Sequence, residues 1–417
     1  MNKDINFGIG FITGRANICK IVNSYYKYLV EQVENLDVKV NLTIFILYDL
    51  AYQFTTRIDF YGILPEVYKH INIKYISPED IEEDKKKIIS KYDISKEDAN
   101  LLLGKGYGKA RNTILYYALK RDIDYLLFWD DDEYPLASVK NEKELEWIKQ
   151  SNIAEHIKHI EDADVTMGYR CGFMNPLPYI EYNDIIKEED YKKFIDGLEN
   201  EVINWEKAQK TRKDNTNIEY AQRDIAEHTK STEYLEEIGK KTFVLGSGIC
   251  LNLRHLDKIP AFYNPPGARG EDTFFSCALG LKDAKVMRIP VYHFHDCFLK
   301  YTSLMKDKYP KTFRRIALDD NGIEQRFLKT TMGWTKYKPL LYYITERESY
   351  KQIIKDTRKN LEESIPKINT AFETCDFSCL IGELDEYDKN VKKHYQEFLR
   401  VTEVWNDLKY KIKESKV

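Results

Sequence analysis

The stretch Asp124-Tyr-Leu-Leu-Phe-Trp-Asp-Asp-Asp-Glu-Tyr-Pro135 passes directly from five apolar residues to four acids. Residues 124–129 are too few for a stable helix and show no polar alternation, so they read as a strand buried on both faces. Such strands belong to parallel sheets, whose ligands bind beyond the carboxyl ends of the strands. Asp130, Asp131 and Asp132 stand at such an end. Upstream, Ile5–Thr13 (INFGIGFIT), Val38–Leu47 (VKVNLTIFIL) and Ile71–Ile76 are further strand-like runs, and Ile18–Val33 has helical periodicity. Asp49 closes the second run. Residues 78–100 are charged with a helical pattern, and Gly104-Lys-Gly-Tyr-Gly108 delivers a helix over Lys109–Arg121. Strands alternating with helices predict an α/β fold, a mostly parallel sheet flanked by helices.

Downstream, Val165–Phe173 is another strand, and residues 181–240 are strongly charged and helical in pattern, an insertion into the sheet. Lys241–Leu253 (KTFVLGSGICLNL) returns to strand character around a Gly-Ser-Gly bend. Pro265-Pro-Gly-Ala-Arg-Gly270 leads into Glu271-Asp272 and a helix start, and Lys285–His295 is the final strand. Beyond residue 300 the chain is charged, aromatic and mainly helical. Leu361, Ile365 and Ile368 recur there at helical spacing, a face for packing on the sheet-bearing part of the chain or on a second subunit as a homo-oligomer. The expected division is 1–300 and 301–417.

A chain of 417 residues, 43% of them hydrophobic, suffices for one large core with appendages or for two domains. Charged residues make up 32%, yet the net charge is only -4, which excludes a general nucleic-acid binder with its dominant basic face. The seven cysteines are odd in number, scattered and without a CxxC pair, which fits reduced thiols rather than a zinc site. No segment approaches the roughly 20 apolar residues of a membrane helix, and the opening residues lack the apolar core of a signal peptide. The expectation is a cytoplasmic protein, at most peripheral at the inner face of the membrane. Its 31 Tyr and 19 Phe suit both sugar stacking and plain core filling.

Four constellations carry chemistry. Carboxylates are hard oxygen donors suited to Mn2+ or Mg2+, and in an extended segment Asp130 and Asp132 project to one side; the plain alternative is an acidic turn closed by Pro135. Gly108-Lys-Ala-Arg-Asn112 opens a helix whose free N–H groups attract anions, or is an ordinary helix start. Glu271 and Asp272 offer a general base, or merely offset the helix dipole. His293 and His295 share a strand face, so both imidazoles can turn toward one metal.

Taken in order, KARN (109–112), LLFWDDDEYP (126–135), GSG (246–248), GEDTFF (270–275) and the His-x-His strand end resemble the GT-A glycosyltransferases, above all the inverting family 2, over roughly residues 5–298. The resemblance implies a Rossmann-like nucleotide-binding sheet and a metal-dependent hexosyltransferase-like activity. It implies a nucleotide-sugar donor (UDP- or GDP-linked) and a glycan, lipid-linked or protein acceptor. The metal would rest on Asp130 and Asp132, with His293 or His295 completing its shell. Asp49, Lys109, Arg111, Asn112, Asp130, Asp131 and Gly248 would line the nucleotide-sugar pocket, and Asp272, with Glu271 as the fallback, would be the base. Thr13-Gly14-Arg15 departs from the family's Pro-x-Tyr-Asn opening, so the resemblance does not assign the base-binding edge; Thr13 and Arg15 are counted among the nucleotide-sugar-binding candidates. The Gln-x-x-Arg-Trp signature of processive synthases is missing, pointing to single transfers. Two rival readings remain: a sugar-nucleotidyltransferase, suggested by Gly8-x-Gly10-Phe-x-Thr-Gly-Arg15, and a non-catalytic carbohydrate-binding module.

Overall fold

In the computed structural model, which describes residues 4–142, 144–172, 176–178, 180–213, 218–296, 304, 308–313, 322–373 and 376–416, the apolar runs form strands at the expected places. The chain opens with β1 (Ile5–Thr13), α1 (Ile18–Glu34), β2 (Val40–Tyr48), β3 (Ile71–Ile76), α2 (Pro78–Tyr92), α3 (Lys96–Leu102), α4 (Tyr107–Lys120) and β4 (Tyr125–Trp129). Next come β5 (Glu133–Tyr134), β6 (Leu136–Asn141), β7 (Glu144–Lys149), α5 (Asn152–His159) and β8 (Val165–Cys171). The middle segment holds α6 (Glu188–Leu198), α7 (Trp205–Lys213), α8 (Arg223–Ala226) and β9 (Glu233–Leu235). The sheet is completed by β10 (Ile249–Asn252), α9 (Glu271–Leu281) and β11 (Val286–His295), and the tail is α10 (Ile323–Thr345), α11 (Tyr350–Ala371), α12 (Cys379–Lys389) and α13 (Val391–Glu414).

Among the described residues the main sheet runs β3-β2-β1-β4-β10-β8-β11-β5, with β9 pairing β11. β3, β2, β1 and β4 pair parallel, as do β8 and β11. β10 is antiparallel to both β4 and β8, so those two share a direction and six strands end at one edge. Because β10 runs the other way, its beginning, next to Gly248, lies at that same edge. This is why the Gly-Ser-Gly bend meets the acids that follow β4.

Alternation along β4 explains its unbroken apolar run. Leu126 and Phe128 enter the core on one face, while Tyr125, Leu127 and Trp129 enter the core on the other. The second face is covered by α1 and α5. The first is covered by α2, α3, α4 and α9, and its core continues into the tail through Trp334, Leu361 and Trp405. Polar ties reinforce that packing. The Trp405 indole N–H donates to Ile259 O at 3.0 Å, Lys409 Nζ donates to Leu256 O at 2.7 Å, and Arg400 Nη2 pairs with Asp98 Oδ2 at 2.6 Å. Leu361, Ile365 and Ile368 are buried as their spacing predicts, and α11 packs on α6.

Two expectations need correction. The helical reading of 181–240 holds for α6 and α7, but from Ile218 onward helix gives way to the four-residue α8 and to β9 on the sheet edge. His228, Glu237 and Gly239 have positive φ there, which no helix tolerates. The strand over Lys241–Leu253 is confined to β10, because Val244 N donates to Ser276 Oγ and Leu245 N to Met167 Sδ instead of joining a ladder. After Pro135 the chain forms the β6–β7 hairpin, which its sequence had not suggested. Phe173, at the end of the expected strand, lies outside the described residues, as do Cys297 and Cys375.

The tail should carry stability. Trp405 has no exposed surface, so Trp405→Ala should lower the unfolding free energy by about 3–5 kcal/mol, read from urea denaturation. A loss below about 1 kcal/mol would show the tail to be an independent appendage.

Candidate functional site at the carboxyl edge of the sheet

The acids after β4 do not continue the strand. Glu133 N donates to Asp130 O at 3.2 Å, closing a turn, so Asp130 and Asp132 do not share a side by strand alternation as expected. Each has its own partner. Asp130, with 39% of its side chain exposed, has Oδ1 3.8 Å from Arg111 Nη2. Asp131 Oδ1 pairs with Arg15 Nη1 at 2.9 Å, and its Oδ2 receives the Thr13 hydroxyl. Asp132 Oδ2 pairs with the same Arg15 nitrogen at 2.7 Å, and its Oδ1 lies 3.3 Å from His295 Nε2. Thr13 and Arg15 thus come to the acidic turn itself.

Glu133, quoted with the acids but given no role from sequence, is the centre of the arrangement. It is wholly buried. Its Oε2 receives the Asp130 N–H at 3.0 Å, and its Oε1 receives the Ser247 hydroxyl and lies 3.3 Å from His293 Nε2. The alternation along β11 does put both imidazoles on one side, where both face Glu133. They differ in access: the His293 side chain is 1% exposed and that of His295 15%. Gly248 explains the enclosure of His293. Its φ is +66°, and a Cβ there would lie 2.3 Å from the His293 ring. Gly248 therefore acts through the fold, letting backbone cross an imidazole.

On the far side of Arg111 stand the two acids that open α9. Arg111, buried against the rings of Phe128 and Phe262, reaches Glu271 Oε1 at 3.5 Å. Asp272 Oδ1 accepts the Thr273 N–H at 2.9 Å, so one of its oxygens caps the helix. The other faces Gly246, where a Cβ would sit 3.3 Å from both Asp272 Oδ2 and Arg111 Nη2. A side chain there would crowd guanidinium and carboxylate alike, so the bend runs close to both only because residue 246 is glycine.

Two expected pocket residues are directed elsewhere. Asn112 is buried and fully engaged inside the fold, donating to Leu102 O and Phe262 O and receiving Phe262 N. It braces the segment before the 265–270 loop. Lys109 turns toward α2 and α13, with Lys85 and Glu397 as its charged neighbours. Asp49 stays near the site: its N–H donates to Thr13 O at 2.8 Å, and its carboxylate lies 3.4 Å from Lys105.

Acids outnumber cations here. Burial, and then repulsion from Asp132, outweigh Arg15 and push Asp131 up to about 7. Burial and Glu133 likewise raise Asp130, and burial raises both Glu271 and Asp272, with repulsion from Asp272 adding to the rise at Glu271. Asp132 is the exception, because His295 and Arg15 overcome its burial and hold it well below the usual range. Among the described residues no three His, Cys, Asp or Glu side chains converge as a ready metal cage. The carboxylates of the turn are nonetheless hard donors with surplus negative charge, the chemistry that suits Mg2+ or Mn2+. Mg2+ usually takes only one or two protein carboxylates and completes its shell with substrate phosphates and water.

No family model and no curated protein matches the chain. Among solved structures it is similar to the apo form of mouse xyloside xylosyltransferase 1, at 9% identity and a TM-score of 0.23, over 60% of this chain and 69% of that one. A likeness at that level decides neither fold nor reaction. No helix of the described residues is long and apolar enough to cross a membrane.

The site's dependence on backbone passing over His293 is testable. Gly248→Ala combines a positive φ with a steric collision and should cost about 1–3 kcal/mol in strain alone, seen as a lowered melting temperature. An unchanged melting temperature would mean that the bend does not hold Glu133 and His293 as described.

Proposed function

We propose that this chain is a glycosyltransferase that moves a sugar from a UDP- or GDP-linked donor to an acceptor hydroxyl, singly and with inversion at the anomeric carbon. One observation carries the reading. At a single sheet edge, the acidic turn after β4 and the carboxyl pair opening α9 stand on either side of Arg111, which lies 3.8 Å from Asp130 and 3.5 Å from Glu271. Two acidic groups brought to one sheet edge suit a single displacement: one would fix the leaving diphosphate, and the other would receive the acceptor's proton.

Asp130 and Asp132 would hold Mn2+ or Mg2+, with His295 the imidazole nearest to them; His293, enclosed under Gly248, is suited to holding Glu133. The bound cation supplies neutralisation of the charge that develops on the leaving diphosphate. Arg15 orients Asp131 and Asp132, and Arg111 sets the spacing between Asp130 and Glu271. In the reaction the acceptor oxygen bonds to the anomeric carbon and its proton passes to Asp272 Oδ2. The bond from that carbon to the diphosphate oxygen breaks, and its electron pair leaves with the nucleotide. Residues 1–300 form the catalytic part in this reading, with 301–417 as its helical support.

General-base assistance contributes ~10²–10⁴ in rate, so Asp272→Asn should lower kcat by about that factor. The base works only when ionised, and burial raises the pKa of Asp272 above the ordinary carboxyl value of about 4. Activity should therefore be retained at alkaline pH and lost as pH falls through that raised value, giving an acid limb displaced upward in kcat/KM. Near-normal turnover in Asp272→Asn, or an acid limb at about 4, would remove the residue from the role. A product of retained configuration by NMR would overturn the mechanism.

A further inference from the structure

Tyr337, on α10 of the tail, lies outside the GT-A resemblance and is buried. Its hydroxyl donates at 3.0 Å to Oε1 of Glu201, a residue of the loop between α6 and α7, and the same oxygen receives the hydroxyl of Thr273. Thr273 follows Asp272, whose Oδ1 accepts the Thr273 N–H at 2.9 Å. The Tyr337 ring lies on the other flank of the acid pair, against Gly270. That glycine has a φ of +95°, and a Cβ there would sit 3.1 Å from the ring. One tyrosine therefore braces both ends of Glu271-Asp272, by its ring on one side and through Glu201 on the other. Burial, and then the charge of Glu201, hold the Tyr337 phenol well above its ordinary range, so the hydroxyl stays a donor. Elsewhere α10 holds the same loop through backbone carbonyls. Lys338 Nζ donates to Gly197 O at 2.8 Å, and the Tyr342 hydroxyl donates to Glu199 O at 3.2 Å.

We propose that Tyr337 is a positioning residue for the base: acting through Glu201 and Thr273, it fixes the first turn of α9 so that Asp272 presents Oδ2 to the acceptor. This rests on the glycosyl-transfer reading and gives the insertion and the tail a share in its chemistry. The physical need is restraint. Gly270 has no side chain to hold its backbone, and the first N–H groups of a helix have no partners within the helix. The turn that carries the acid pair must therefore be held from outside. A reacting group displaced by about 1 Å can cost on the order of 100-fold in rate, so a ring and a hydrogen bond that fix this turn act on turnover and not only on stability.

The test uses the full chain, a set of UDP- and GDP-linked hexoses as donors, and water or methyl hexosides as acceptors, and it reads release of the nucleoside diphosphate. Tyr337→Phe keeps the ring against Gly270 and removes the hydroxyl alone. It should lower kcat on the order of 10-fold, with donor KM and nucleoside diphosphate affinity unchanged. Thr273→Val, at the other end of the same link, should do likewise. The deciding measurement is a cycle with Asp272→Asn. A hydroxyl that works through the base has nothing left to position once residue 272 is Asn, so adding Tyr337→Phe to that variant should cost no further rate. A role in stability alone predicts the same loss in both backgrounds, and an equal loss in Tyr342→Phe, which frees a bond from α10 to the loop but leaves Glu201 engaged. Unchanged kcat in Tyr337→Phe or Thr273→Val, a full loss repeated on Asp272→Asn, or an equal loss in Tyr342→Phe would each overturn the inference while donor turnover stands. Absence of donor turnover in the unmodified protein would overturn the glycosyl-transfer reading and this inference with it.

Discussion

Burying the Glu133 carboxylate constrains the site more than any other contact. An ionised carboxyl group with no exposed surface is tolerated only when charge partners and hydrogen bonds replace water. Here they come from three separate parts of the sheet edge: the Asp130 N–H from the turn, the Ser247 hydroxyl from the bend before β10, and His293 from β11. Although burial opposes ionisation, His293 keeps Glu133 below its usual range. Satisfying one group therefore fixes the relative height of β4, β10 and β11. It also makes the glycine at 248 necessary, because the bend must run over the imidazole.

With that centre fixed, the remaining charges fall into two groups. Arg15 gathers Asp131 and Asp132 on the side of β1, while Arg111 stands between Asp130 and Glu271 on the side of α4. Two arginines do not balance so many carboxyl groups, and repulsion from Asp132 adds to the burial that raises the proton affinity of Asp131. A cation at the turn would relieve it, and so would hydroxyl donors at the α9 end. Both belong to the chemistry proposed above.

Much of this was legible in the residues. An apolar pentapeptide followed by acids read as a strand buried on both faces, helical spacing placed α1 and the glycine loop placed α4 to within a few residues, and the tail was read as mainly helical without bounds for its helices. What could not be read were pairings between distant positions. Arg15 and Asp131 are far apart in the chain and meet because β1 and β4 are neighbours, a fact of sheet order that no local pattern carries. Asn112 drew attention as a polar residue at a helix start, yet that polarity is spent on the backbone of Phe262. The i, i+2 argument held for His293 and His295, which lie in a strand, and failed for Asp130 and Asp132, which lie in a turn. Glu201 was hidden among many charges in a segment of helical pattern. The signal that could have marked it is the following Val-Ile pair, which breaks the charge run and draws the loop into the core at Ile203.

The central claim is that the acidic turn binds a nucleotide diphosphate through a divalent cation. Calorimetric titration of UDP and GDP into the protein, with Mn2+ and then with EDTA, tests it most directly, alongside the same titrations of Asp132→Ala. The account predicts binding of at least one nucleotide that needs Mn2+ and is lost in the variant. Binding of equal strength without metal, or unchanged metal-dependent binding in Asp132→Ala, would contradict it.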